Sequence, residues 1–324
     1  MDKKDVRIVF LGTPEIAAQG LSYLLNNGFN VVGVVSQPDA PRGRGKRLSP
    51  SSVSQVALDR GIPLHRPLKL NKDYGFVEEL HPDLLLTYAY GQILSTKVLA
   101  LSSKFPPLNV HASDLPRLRG ASPIQTSILE GDTSTAVCLM EMVKQMDAGR
   151  VFARIGINID PEDDSTALEE KVSKTACELL GTYLPRYFDG ELVGEPQDES
   201  QVTFCHMFSR KDEYLDPGSS PEEFVNRVRA FSSKPGAFLV LGDGTSIKVY
   251  RAIKSEAKGE EGRILSADRG HLILGVNGGS VELLTVQKQG HKPMAARDFL
   301  NGTRGLEGMR VLRLDEVFKD QEEN

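Results

Sequence analysis

Asn109 and His111 stand two residues apart in the short run Leu108-Asn109-Val110-His111. On a strand that spacing turns both side chains to one face. A carboxamide and an imidazole can both donate hydrogen bonds, and the imidazole also exchanges a proton near neutrality. Together they suit a place where negative charge develops on an oxygen. Singly, a histidine is more often a satisfied structural residue and an asparagine a turn cap. Directly after the run comes Ala112 to Pro123, a polar loop punctuated by Gly and Pro that enters a helix. Open α/β sheets bind ligands in such loops, beyond the carboxyl ends of their strands.

The surrounding pattern predicts the sheet that would hold the pair. Val6 to Leu11 reads as a buried strand that turns at Gly12-Thr13-Pro14 into an amphipathic helix ending near Gly28, followed by a second strand at Val31 to Val35. The alternation continues with a helix near 52–60, strands at 83–88 and up to His111, a helix from Pro123 to Leu129, strands at 135–142 and 151–159, and a long helix over 165–188. Such alternation predicts a doubly wound, mostly parallel, Rossmann-like sheet. The turn at Gly12 carries one glycine where a dinucleotide fingerprint needs three, so a nicotinamide dehydrogenase is not the expectation.

Residues 190–208 lose periodicity and turn polar, which predicts a linker between a first domain over 1–189 and a second over 209–316, with a polar tail at 317–324. The second domain opens on a helix from Pro221 to Phe231. Turn signals at 242–244, 257–259, 268–270 and 277–279 then separate five short strands, the count of a small OB-like barrel. Three cysteines without metal-type spacing, and no long apolar run, make a cytoplasmic protein without metal, disulfides or membrane the default. Residues 1–209 carry a net charge of −5 and residues 210–314 one of +4, so the basic half is compatible with a polyanion partner.

Asn109-x-His111-x-Ser113-x-x-Pro116, then Gly120-x-x-Pro123, with Met146-Asp147-Ala148-Gly149 beyond, closely resembles the signature of the folate-dependent formyltransferase family. The resemblance runs continuously over residues 5–188. It implies a formyl donor, 10-formyltetrahydrofolate, and a metal-free catalytic trio of Asn109, His111 and Asp147. It further implies a folate pocket formed by Tyr88, Ala89, Tyr90, Gly91, Ile93, Ser113, Leu115 and Pro116, partly through backbone groups. Formyl transfer to an amine places negative charge on the former carbonyl oxygen, which Asn109 and a protonated His111 would meet, with Asp147 orienting the imidazole and relaying protons.

The core motif does not choose the acceptor amine, which in this family is a purine-pathway amine, an amino sugar, water or a charged tRNA. Two other stretches do. Gln37-Pro38-Asp39-Ala40-Pro41-Arg42-Gly43-Arg44-Gly45-Lys46-Arg47 sets Arg42, Arg44, Lys46 and Arg47 against one carboxylate. A basic run is usually a solvated loop; this one resembles the loop with which family members acting on methionyl-tRNA grip the acceptor end of the initiator. The segments Arg229 to Phe238 and Lys292 to Gly302 resemble the tRNA-contacting second domain of the same members, with Lys234, Lys248, Arg251, Lys254, Lys288 and Lys292 as candidate contacts. Ser232-Ser233-Lys234-Pro235 departs from the usual Asn-Pro-Trp-Pro, Pro217 stands where tryptophan is common, and Asp114 replaces a usual leucine. The resemblance thus implies a monomer acting on initiator methionyl-tRNA. The alternatives are a formyltransferase for a nucleotide-linked amino sugar and a non-catalytic RNA-binding relative, which would be expected to have lost part of the trio.

Overall fold

The computed structural model of the protein describes residues 1–42 and 47–319, Arg42 in its backbone alone. Two compact units emerge. The first comprises 1–123, 134–158 and 169–205; the second comprises 124–133, 159–168 and the chain from 206 onward.

The first unit is a doubly wound sheet. Its leading elements are β1 (Ile8–Gly12), α1 (Glu15–Asn26), β2 (Val31–Val35), β3 (Ala40–Arg42), β4 (Arg47–Ser49), α2 (Ser52–Asp59), β5 (Leu64–His65), α3 (Gly75–Glu79), β6 (Leu84–Tyr88), α4 (Thr96–Leu99), β7 (Leu108–His111) and β8 (Arg119–Gly120). After α5 (Pro123–Leu129) come β9 (Ser134–Glu141), β10 (Val151–Asn158), α6 (Ser165–Phe188) and β11 (Phe204–Cys205). The main sheet has the order β10-β9-β7-β6-β1-β2-β5. Strands β7, β6, β1, β2 and β5 are parallel, and β9 and β10 add an antiparallel edge. The expected alternation is therefore present, with β3 and β4 forming an antiparallel ribbon, Arg42 opposite Arg47, that the sequence pattern did not predict.

Why the two faces differ follows from the pleat. Leu85 on β6, with Val9, Leu11 and Val35, joins Leu70, Val77, Tyr90, Leu94, Val98 and Leu99 in one apolar cluster under α3 and α4. On the opposite face, α1 approaches so closely that a side chain on Gly20 would lie 3.1 Å from the Tyr88 ring, next to Leu180 of α6. Thr87 alternates with Tyr88 and belongs to the α3/α4 face. Because β6 and β7 pair Thr87 with Asn109, Asn109 and His111 share that face. Helix α6 covers the expected span; the Asp164 carboxylate accepts from the Ala167 N–H at 3.0 Å and caps its start.

Residues 190–205, expected as part of a free linker, belong to the first unit. Val151 and Glu195 exchange two backbone hydrogen bonds of 2.9 Å, and β11 pairs with β8. These long-range bonds substitute for the local periodicity the stretch lacks.

The second unit is helical and antiparallel. Helix α7 (Pro221–Phe231) starts with a capping box between Ser220 and Glu223 and buries Phe224, Val228 and Phe231. It is followed by β12 (Ala237–Val240), β13 (Ser246–Ser255), β14 (Ile264–Asp268), β15 (His271–Val276), β16 (Gly279–Lys288) and β17 (Met294–Ala295), then the short helices α8 (Ala296–Asn301) and α9 (Leu314–Val317). The strand order is β12-β13-β16-β15-β14, with β17 beside β16, six strands where five were expected. Each of the four turn signals falls between consecutive strands. Among the described residues, no helix is long and apolar enough to cross a membrane.

The cluster beneath Asn109 depends on its fully buried β6 leucine. Leu85→Ala is expected to lower the unfolding free energy by about 3 kcal/mol, the usual cost of a leucine-sized cavity, read as a shift of the urea midpoint at unchanged slope.

Candidate active site

Three polar side chains converge where β7 ends. His111 is 5 % exposed. Its Nε2 lies 2.9 Å from the Leu118 carbonyl oxygen, and since a carbonyl only accepts, Nε2 carries a proton. Nδ1 faces the Asp147 Oδ2 at 3.8 Å. The gap is longer than a hydrogen bond but within ion-pair range, in surroundings where charges are poorly screened. The same Asp147 Oδ2 is fixed by the Gly120 backbone N–H, which it accepts at 2.9 Å. Asp147 itself takes a left-handed backbone, φ 49°.

Asn109 is half-buried. Thr87 donates its hydroxyl proton to the Asn109 Oδ1 at 2.8 Å, which directs the Nδ2 protons away from the sheet. Thr87 is 3 % exposed and also sits 3.1 Å from the Leu108 carbonyl and 3.0 Å from the Met142 sulfur. Sequence reading passed over it inside an apolar strand; the signal was a single hydroxyl at that strand's end, in register with Asn109.

Two glycines in the motif are required by close approach. A Cβ on Gly149 would lie 1.9 Å from the Glu141 carbonyl oxygen. One on Gly120, whose φ is 125°, would lie 2.1 Å from the Cys205 carbonyl oxygen. Around Gly120 the chain is clamped from the 203–205 stretch. Leu118 N–H donates to the Thr203 hydroxyl at 2.9 Å, Arg119 N–H to the Thr203 carbonyl at 2.9 Å, and Ala121 N–H to the Cys205 carbonyl at 3.2 Å.

The residues expected around folate divide. Tyr88 and Tyr90 are buried with no partner for either hydroxyl among the described residues, and burial raises both phenols. Tyr88 points to the α1 side, away from Asn109, and Tyr90 joins the apolar cluster while its carbonyl accepts from Thr13 at 2.9 Å and Gln37 at 3.2 Å. Ala89 and Gly91 are exposed with positive φ, 48° and 87°, and Ile93 leaves 77 % of its surface in solvent. Ser113 and Leu115 are fully buried; Ser113 donates to the Arg117 carbonyl at 2.7 Å and shapes the loop from within. Pro116 is half-buried in a cis peptide. Beneath them the Cys138 thiol donates to the Ser113 carbonyl, and burial pushes it up to about 11, which removes it as a nucleophile near neutrality.

Of the basic-loop residues, Arg47 is exposed on β4; Arg44, Lys46 and the Arg42 side chain lie outside the described residues. A broad cleft of about 620 Å³ between α1 and residues 49–56 shares no residue with Asn109, His111 and Asp147.

A mostly parallel sheet that brings an amide and an imidazole at the end of β7 beside a carboxylate from the turn after β9 suits an acyl-type transferase, and sequence comparison agrees. The profile of the formyl transferase family matches residues 6–184, and that of the formyl transferase C-terminal domain matches residues 209–304. The chain belongs to the formyl transferase family. It is 39 % identical to the methionyl-tRNA formyltransferase of Bacillus licheniformis over 96 % of this chain and 99 % of that one. The methionyl-tRNA formyltransferase of Thermotoga maritima is 37 % identical over 95 % and 99 %. Among solved structures, an N-formyltransferase from Helicobacter canadensis shares the fold with a TM-score of 0.66, at 18 % identity over 87 % of this chain and 99 % of that one.

Gly120 tests the packing of the site. Gly120→Ala is expected to cost on the order of 2 kcal/mol, from a disfavoured backbone and the collision with Cys205, and urea denaturation against the parent measures it.

Proposed function

We propose that the protein transfers the formyl group of 10-formyltetrahydrofolate to the amino group of methionyl initiator tRNA. The observation that carries this is the convergence of Asn109, His111 and Asp147 in a chain similar from end to end to methionyl-tRNA formyltransferases. The donor supplies an activated formyl carbon, and attack by the amine puts negative charge on its oxygen. Asn109 Nδ2, turned outward by Thr87, donates to that oxygen. His111, protonated at Nδ1, donates beside it while the Asp147 carboxylate balances its charge. Asp147 also accepts the proton released by the amine and, through water, returns it toward the leaving nitrogen.

The residues present fit a folate. Backbone groups turned outward at Ala89 and Gly91 can meet the edge of a flat heterocycle. Ile93, Val143 and Met146, each at least 36 % exposed on the two loops that border Asn109 and Asp147, offer apolar surface to its faces. For the acceptor, the basic run of Arg42, Arg44, Lys46 and Arg47 supplies cations that meet phosphates or stack on bases, and of these Arg47 is exposed on β4. In the second unit Arg251 pairs with Glu162 at 3.3 Å and Lys254 with Glu222 at 4.0 Å. Such exposed pairs are weak and yield readily to a phosphate. Lys234, Lys248, Lys288 and Lys292 complete this set of candidate contacts in the antiparallel domain, which we read as a small OB-like barrel. The acceptor places the enzyme in the cytoplasm, and we read it as a monomer.

Transfer of a labelled formyl group from the donor to charged initiator tRNA tests the reading. Asn109→Ala, His111→Ala and Asp147→Asn are each expected to lower kcat by about 10²-fold or more while the thermal midpoint holds, in line with the loss of an oxyanion donor or a proton carrier. Parental kcat in all three would remove the mechanism. Arg44→Ala is expected to raise the KM for the tRNA about tenfold, equivalent to about 1.4 kcal/mol, and to leave the KM for the donor within twofold; an unchanged tRNA dependence contradicts the role.

A further inference from the structure

We infer that Gln197 is a positioning residue for formyl transfer, holding the Asp147 turn at a fixed distance from the segment that carries Leu118 and Gly120; the inference rests on the part assigned to Asp147 above. Gln197 lies in the stretch taken from sequence for a linker. Its side-chain nitrogen donates one proton to the Asp147 carbonyl and the other to the Gly149 carbonyl, both at 2.8 Å. Its oxygen accepts from the Arg119 Nε at 3.0 Å. The amide cannot be turned over, because its nitrogen faces two acceptors and its oxygen faces a guanidinium that only donates.

Arg119 is 3 % exposed, and its remaining nitrogens form a forked pair with Glu199, at 2.8 and 3.3 Å. That hydrogen bond holds the Glu199 carboxyl below its ordinary range. The two neighbours of Arg119 are the residues that touch the site: the Leu118 carbonyl accepts a hydrogen bond from the His111 Nε2, and the Gly120 N–H donates to the Asp147 carboxylate. One ring of bonds therefore runs from Gly120 through Arg119 to Gln197, into the backbone of Asp147, and back through its carboxylate to the Gly120 N–H, with His111 tied to it through Leu118. A staple that served stability alone would do as well with apolar groups, since burying a guanidinium costs about as much as its pairing returns. What the polar ring sets is the 3.8 Å separation between the Asp147 and His111 side chains. Catalysis is sensitive to displacements well below that length.

Gln197→Met keeps the size of the side chain and removes all three hydrogen bonds. With labelled donor and charged initiator tRNA, its kcat is expected to fall about tenfold or more, with both KM values within twofold of the parent. Because Gln197 acts through Asp147, adding Gln197→Met to Asp147→Asn should leave kcat within twofold of Asp147→Asn alone. A fold-stabilising role would instead multiply the two losses, and that result overturns the inference. So does a kcat within twofold of the parent for Gln197→Met beside a slow Asp147→Asn, which leaves the catalytic assignment standing. A parental kcat for Asp147→Asn overturns the assignment and this inference together. Should Gln197→Met not fold, Gln197→Glu, which keeps the acceptor for Arg119 and loses both donors, is read by the same criteria.

Discussion

The hydrogen bond from the Gly120 N–H to the Asp147 carboxylate is the constraint on which the site depends. Two loops that leave different strands meet at this one bond, and each pays for the meeting in backbone conformation. Residue 120 has no room for a Cβ and residue 147 adopts a left-handed backbone. The bond also sets the charge pattern. The Asp147 oxygen held by the amide is the one that faces His111, whose far nitrogen is tied to Leu118.

The parts of the site differ in how they are held. Asn109 and His111 sit on a strand in the middle of the sheet, and their direction follows from the pleat and from the pairing with β6. Their placement is inherited from the apolar core. Asp147 sits on a turn without a core of its own, and polar contacts hold it in place. On the proposed roles, rigid donors toward the developing charge and a carboxylate that can take up and release protons, the two modes of support match the two needs.

Much of this was legible in the sequence. The 24-residue span of α6 was marked by Asp164-Ser165 at its start, and the turns of the second unit were marked by their glycines. The family signature brought Asn109, His111 and Asp147 together before any coordinates did. Thr87 was hidden because a strand buried on both faces reads as an apolar run, in which one hydroxyl looks incidental. Gln197, Glu199 and Thr203 were hidden for a different reason. Their partners lie 48 to 85 residues back along the chain, and β11 is two residues long, so no local pattern records them. The polarity that marked 190–205 as a linker is the polarity that binds it to the catalytic unit.

The pairing of β8 with β11 also bears on how the molecule is made. On the ribosome the sheet strands and His111 emerge early, and the 118–121 segment waits for Thr203 and Cys205 before its backbone groups are satisfied. Thr203 and Cys205 are among the last residues of the first unit, so the segment that carries Leu118 and Gly120 is clamped by nearly the last part of that unit to be synthesised.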